Sequence, residues 1–97
     1  MIVYSWTALS GDTSAAVVGM GITSDHEKAK RDAEEPVLSG QAFLAIIESV
    51  TPVMAAHGLS LCYLRTGTAW LGRRNTSGGV AWRRFFVEDD DADRMYP

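Results

Sequence analysis

With one cysteine, Cys62, the chain has no intramolecular disulfide framework. Its stability must come from a packed core, and a reducing, cytoplasmic location is expected. No apolar run approaches the ~20 residues that a membrane-spanning helix needs. The start Met1-Ile2-Val3-Tyr4 lacks the basic region of a secretory signal, so no membrane partner is expected and the sequon Asn75-Thr76-Ser77 reads as incidental. Catalytic and cofactor patterns are missing too. No nucleophile elbow surrounds Cys62, and nothing in the spacing of Cys62, His57 and His26 brings them together as nucleophile and base or as zinc ligands. Glu88 to Asp93 lacks the glycine and the alternation of a calcium loop. The stretch Val17-Val18-Gly19-Met20-Gly21-Ile22-Thr23-Ser24 has the strand, glycine spacing and helix start of a dinucleotide turn but not its third glycine, and helix capping already explains the serine. No catalytic residue, metal ligand or cofactor is therefore assigned.

Acids are absent from one long segment. Leu59 to Val87 holds five arginines and no carboxylate, whereas residues 1–58 carry three basic and seven acidic side chains, and residues 88–97 one and five. A net charge of −3 argues against a protein coated in nucleic acid, so any phosphate binding would be local. At 97 residues, 46% apolar and 22% charged, the chain suits one globular domain over residues 1–87, followed by an acidic, solvated tail over 88–97.

Alternation and turn chemistry predict an opening hairpin, from Met1 to Leu9 and from Ala15 to Ile22 around Ser10-Gly11-Asp12-Thr13. Ser24-Asp25-His26-Glu27 reads as a capping box that opens a helix with Ala29, Ala33 and Val37 inward, bent or shortened at Pro36 and ended by Gly40. From Ala42 to Val53, the spacing of Phe43, Ile46, Ile47, Val50 and Val53 fits a helix, and the β-branched content fits a buried strand; the spacing tips the reading slightly toward helix. Leu59 to Arg65, Thr68 to Arg74 and Gly79 to Val87 then read as a three-stranded meander joined at Thr66-Gly67 and Asn75-Thr76-Ser77-Gly78. The expected fold is α+β: an antiparallel sheet built from hairpin and meander, with the capped helix on one face and a second helix or strand at about 42–53.

Arginine and tryptophan dominate binding hot spots, so Arg65, Trp70, Arg73, Arg74, Trp82, Arg83 and Arg84 are the candidate binding residues. They suggest a non-catalytic interaction or regulatory module that uses an Arg/Trp-bearing sheet toward a protein partner or a second copy. A weak nucleic-acid platform is the alternative, with bases stacked on indoles and guanidinium groups on phosphates. A third reading is a ligand-binding or enzymatic subunit whose site another chain completes. The run Cys62-Tyr63-Leu64-Arg65-Thr66-Gly67-Thr68-Ala69-Trp70-Leu71-Gly72-Arg73-Arg74, followed by Gly79-Val80-Ala81-Trp82, resembles that of short uncharacterised actinomycete proteins. That resemblance implies no activity and carries no catalytic residue across.

Overall fold

A computed structural model describes residues 2–11, 16–54 and 61–86, with side chains of 53–54 and 61–64 left aside. Residues 88–97, the expected acidic tail, and His57 lie outside the described residues. The elements run β1 (Val3–Leu9), β2 (Val17–Thr23), α1 (His26–Leu38), β3 (Leu44–Met54), β4 (Leu61–Arg74) and β5 (Val80–Phe86). All strand pairs are antiparallel, in one five-stranded sheet of order β2-β1-β3-β4-β5. The α+β architecture with one helix packed on a sheet is thus established, and no described helix is long and apolar enough to cross a membrane.

The helix starts one residue later than the capping-box reading implies. Asp25, not Ser24, is the N-cap: its backbone is extended, and its carboxylate accepts from the amides of Glu27 at 3.0 Å and Lys28 at 3.4 Å. Ser24 is still in the bend that leaves β2. Pro36 sits within the last turn without ending the helix, because only the Asp32 carbonyl loses its usual amide partner there. Ala29, Ala33 and Val37 form the buried stripe, as their spacing predicts.

Residues 44–54 are a strand, which corrects the helical leaning. The register Leu9↔Leu44 through Val3↔Val50 seats β3 at the centre of the sheet. A central strand is apolar on both faces, so its sequence loses the alternation that would identify it. Ala45 and Ile47 lie fully buried under the helix, while Leu44, Ile46 and Val50 point the other way.

Thr66-Gly67 is a bulge and not a turn. β4 runs unbroken for 14 residues, and its register against β3 jumps between Glu48↔Ala69 and Val50↔Arg65. Gly67 adopts φ 95° there, a conformation that side-chain-bearing residues seldom take. The Ser49 hydroxyl bonds the Thr66 hydroxyl and reaches the Thr68 carbonyl, which pins this register. Beyond the bulge, among the described residues, β3 and β4 pair only with each other, since pairing with β1 ends at Val50 and pairing with β5 at Thr68, so residues 51–54 and 61–65 form a two-stranded extension. The three-stranded meander therefore consists of β3, β4 and β5. Its second connection falls at the Asn75 turn, where the Asn75 side-chain oxygen accepts from the amides of Ser77 and Gly79.

Helix and sheet meet through small residues. Ala29 and Ala33 pack with Ala8, Ala45 and Ile47, all fully buried, and Trp6, Trp70 and Trp82 surround this seam. Two of the indoles lie flat over glycines on the neighbouring strand: Trp6 opposes Gly21, and Trp82 opposes Gly72. A Cβ at Gly21 would stand 2.5 Å from the Trp6 ring nitrogen, and one at Gly72 would stand 2.7 Å from the Trp82 ring. These contacts give the glycine pair of β2 a packing role in place of a phosphate-cradling one. Replacing Gly72 by alanine is expected to displace Trp82 and lower stability by about 1–3 kcal/mol, and urea unfolding of Gly72→Ala and Gly21→Ala measures it. Ile47→Ala, which leaves a hole at the centre of the seam, is expected to cost about 2–5 kcal/mol in the same assay.

Candidate interaction surface

Strand alternation splits the seven candidate residues between the two faces of the sheet. Trp70, Arg74, Trp82 and Arg84 fall on the helix side, and Arg65, Arg73 and Arg83 on the open side. The adjacent pairs Arg73-Arg74 and Arg83-Arg84 diverge as period 2 requires.

Both indoles are engaged within the chain. Trp82 donates its ring N–H to the Glu34 carboxylate at 2.7 Å, which ties β5 to the helix. Trp70 packs with Tyr4 and His26, at centroid distances of 6.0 and 4.3 Å, and Tyr4 stacks on the imidazole at 4.7 Å and 15°. They are half-buried packing groups with little ring face to offer a partner. The two indoles thus face the helix, apart from Arg65, Arg73 and Arg83 on the other side of the sheet. Arg74 is also occupied, donating to the Leu38 carbonyl at the helix C-terminus, where carbonyls lack amide partners and a cation opposes the helix dipole. Arg84 lies over the Phe86 ring, 4.9 Å from its centroid, and both are exposed.

On the open face, among the described residues, no element covers the sheet. Arg65 bridges to Glu48 at 3.0 Å. Arg73 stands 5.3 Å above the Phe43 ring, and Arg83 makes no ion pair among the described residues. The rows Leu9-Leu44-Arg73 and Val3-Val50-Arg65 set guanidinium-bearing chains beside buried aliphatic ones, with Leu44 and Val50 only 6% and 5% exposed. Long arginine stems cover apolar surface while their heads stay in water, so Arg65 and Arg73 serve packing as well as charge. Arg83 opposes Leu71 and is flanked along its strand by Ala81 and Phe85. Phe43 and Phe85 remain 48% and 37% exposed. Between the helix C-terminus and β4 a cleft of about 460 Å³ is lined by Val37, Gly40, Ala42, Phe43, Arg73 and Arg74. It can take an apolar group against its floor and a carboxylate against its guanidinium rim.

The residues that reading the sequence missed are Phe43, Glu48, Phe85 and the β2 pair Met20 and Ile22. Met20 and Ile22 alternate with Gly19 and Gly21, a period-2 signal that an outer strand would have supplied. Cys62 is paired with Val53 in the β3–β4 ladder, and its side chain lies outside what is described. No three His, Cys, Asp or Glu side chains among the described residues cluster as metal ligands.

The arrangement defines a small α+β protein with a helix on one sheet face and, among the described residues, no element on the other. Compared with protein-family models, curated proteins and solved structures, the chain matches none.

The ionisation of His26 is displaced. Burial, and then the Lys30 cation, hold its pKa below the ordinary 6.5, against the opposing pull of Glu27 and Asp25. Its Nε2 is buried with no hydrogen-bond partner among the described residues. The unfolded chain therefore takes up this proton more readily than the folded one. The His26 contribution to stability is present above the unfolded value and is lost as pH falls from there through the lower folded value. Melting temperature is expected to drop from about pH 7 to about pH 5, and His26→Phe, which keeps the stack on Tyr4, is expected to flatten that slope.

Proposed function

We propose that this chain is a non-catalytic interaction module that docks a protein partner on the arginine-bearing half of its open sheet face. The observation that carries the reading is that face itself: Leu71 and Phe85 interleaved with Arg73 and Arg83, without a covering element among the described residues. An apolar patch rimmed by cations favours a partner that brings its own apolar groups and carboxylates.

Arg83→Ala and Arg73→Met are expected to abolish capture of a protein partner from native lysate while leaving the melting temperature nearly unchanged, because methionine retains the stem that shields Leu44. A large fall in melting temperature, or undiminished capture, would contradict the assignment.

The exposed pair Arg84 and Phe86 supports a second reading, binding of single-stranded nucleic acid, since an aromatic face beside a guanidinium is the unit that stacks a base and neutralises a phosphate. With Trp70 and Trp82 turned inward, that platform is small. If it operates, oligonucleotide affinity falls steeply between ~50 and ~200 mM salt and is lost in Arg84→Ala. Absence of binding at the lower salt removes this reading.

A further inference from the structure

The two edges of the sheet differ in kind. β5, at one edge, carries Arg83 and Arg84. β2, at the other, reads VVGMGIT, without a charge or a proline. An outer strand presents a row of unpaired N–H and C=O groups, and stable monomers guard it with charge, proline, shortness or a bulge. Here a single irregularity, opposite Ala8 and Leu9, breaks only the start of the strand and leaves Gly19 to Thr23 in regular register with β1. Met20 and Ile22 project from this regular part onto the open face, 70% and 49% exposed. Beside them is a shallow hollow of about 310 Å³ lined by Ser5, Met20, Gly21, Ile22 and Val50.

We propose that β2 pairs antiparallel with β2 of a second copy of this chain across a two-fold axis. A strand turned end for end presents the complement of its own hydrogen-bonding row, so one uncharged edge suffices for both partners. Chains that each carry a net charge of −3 meet here at a stretch with no charged side chain, and Met20 and Ile22 of one copy cover those of the other. The same pairing at β5 would oppose arginine to arginine. Joined through β2, two sheets become one ten-stranded sheet with a continuous open face. The arginine-bearing strands then lie at its two far ends, each about 19 Å from the junction at ordinary strand spacing. The assembly is bivalent toward any partner that the arginine-bearing surface takes, although the pairing itself does not depend on that surface.

Sedimentation equilibrium of the full chain is the test, with Met20→Lys, Met20→Leu and Arg83→Ala alongside. Wild type, Met20→Leu and Arg83→Ala are expected to form dimers. Met20→Lys, which places two like charges near the axis, is expected to weaken the dimer by roughly tenfold or more. Met20 is mostly exposed, so near-ultraviolet circular dichroism of the lysine variant should match wild type and exclude misfolding. Amide exchange of Gly19 to Thr23 in wild type should slow as concentration rises. A wild-type chain that stays monomeric at the highest concentration reached overturns the proposal, as does a dimer indifferent to Met20→Lys. Loss of partner capture in Arg83→Ala with dimerisation intact leaves it standing, so the two readings fail separately.

Discussion

Close approach of one helix to one sheet governs the architecture. Ala29 and Ala33 meet Ala8 and Ala45 with no large side chain between them except Ile47, so the helix lies low on the strands. Such a seam buries little area by itself, and the surrounding volume has to be filled from its rim. Trp6, Trp70 and Trp82 fill it, one toward β2, one at the helix N-terminus and one toward β5. Gly21 and Gly72 exist to let two of those rings lie flat. Alanine seam, indole rim and glycine floor form one packing solution in which each part requires the others.

That solution decides what is left for function. Large aromatic surface committed to the helix side has little to offer a partner, whereas the opposite face keeps shorter aliphatic groups, Phe85 and separated guanidinium heads. The sheet is consequently polarised across its width: cations concentrate on β4 and β5, and the β2 end is neutral. On the readings proposed above, the cationic end would suit carboxylate-bearing partners and the neutral end would suit backbone pairing.

Much of this was legible in the residues, and the failures have physical causes. The helix stripe was readable because it has one wet and one dry side, so hydrophobic period and structure coincide, and the first hairpin was marked by the turn chemistry between its strands. β3 was not, because Ile46 and Ile47 are both needed, on opposite faces of a central strand, and a doubly apolar strand mimics a helix over so short a span. Thr66-Gly67 carries the chemistry of a turn, yet the same glycine freedom serves a bulge, and only the length of pairing on both sides tells the two apart. Period 2 correctly separated Arg73 from Arg74 and Arg83 from Arg84. It could not say which side the helix would take, and that choice sends Trp70 and Trp82 inward. The outward role of Met20 and Ile22 depends on strand order, which local sequence does not encode.

The ribbon beyond the bulge has a mechanical consequence. Among the described residues, β3 and β4 have only each other there, since neither β1 nor β5 is paired that far. Two strands alone hold together weakly. The Ser49, Thr66 and Thr68 clasp stands at its root, so the ribbon can unzip down to that point while the five-stranded body keeps every hydrogen bond. Opening of this ribbon therefore costs fewer shared contacts than opening of the five-stranded body.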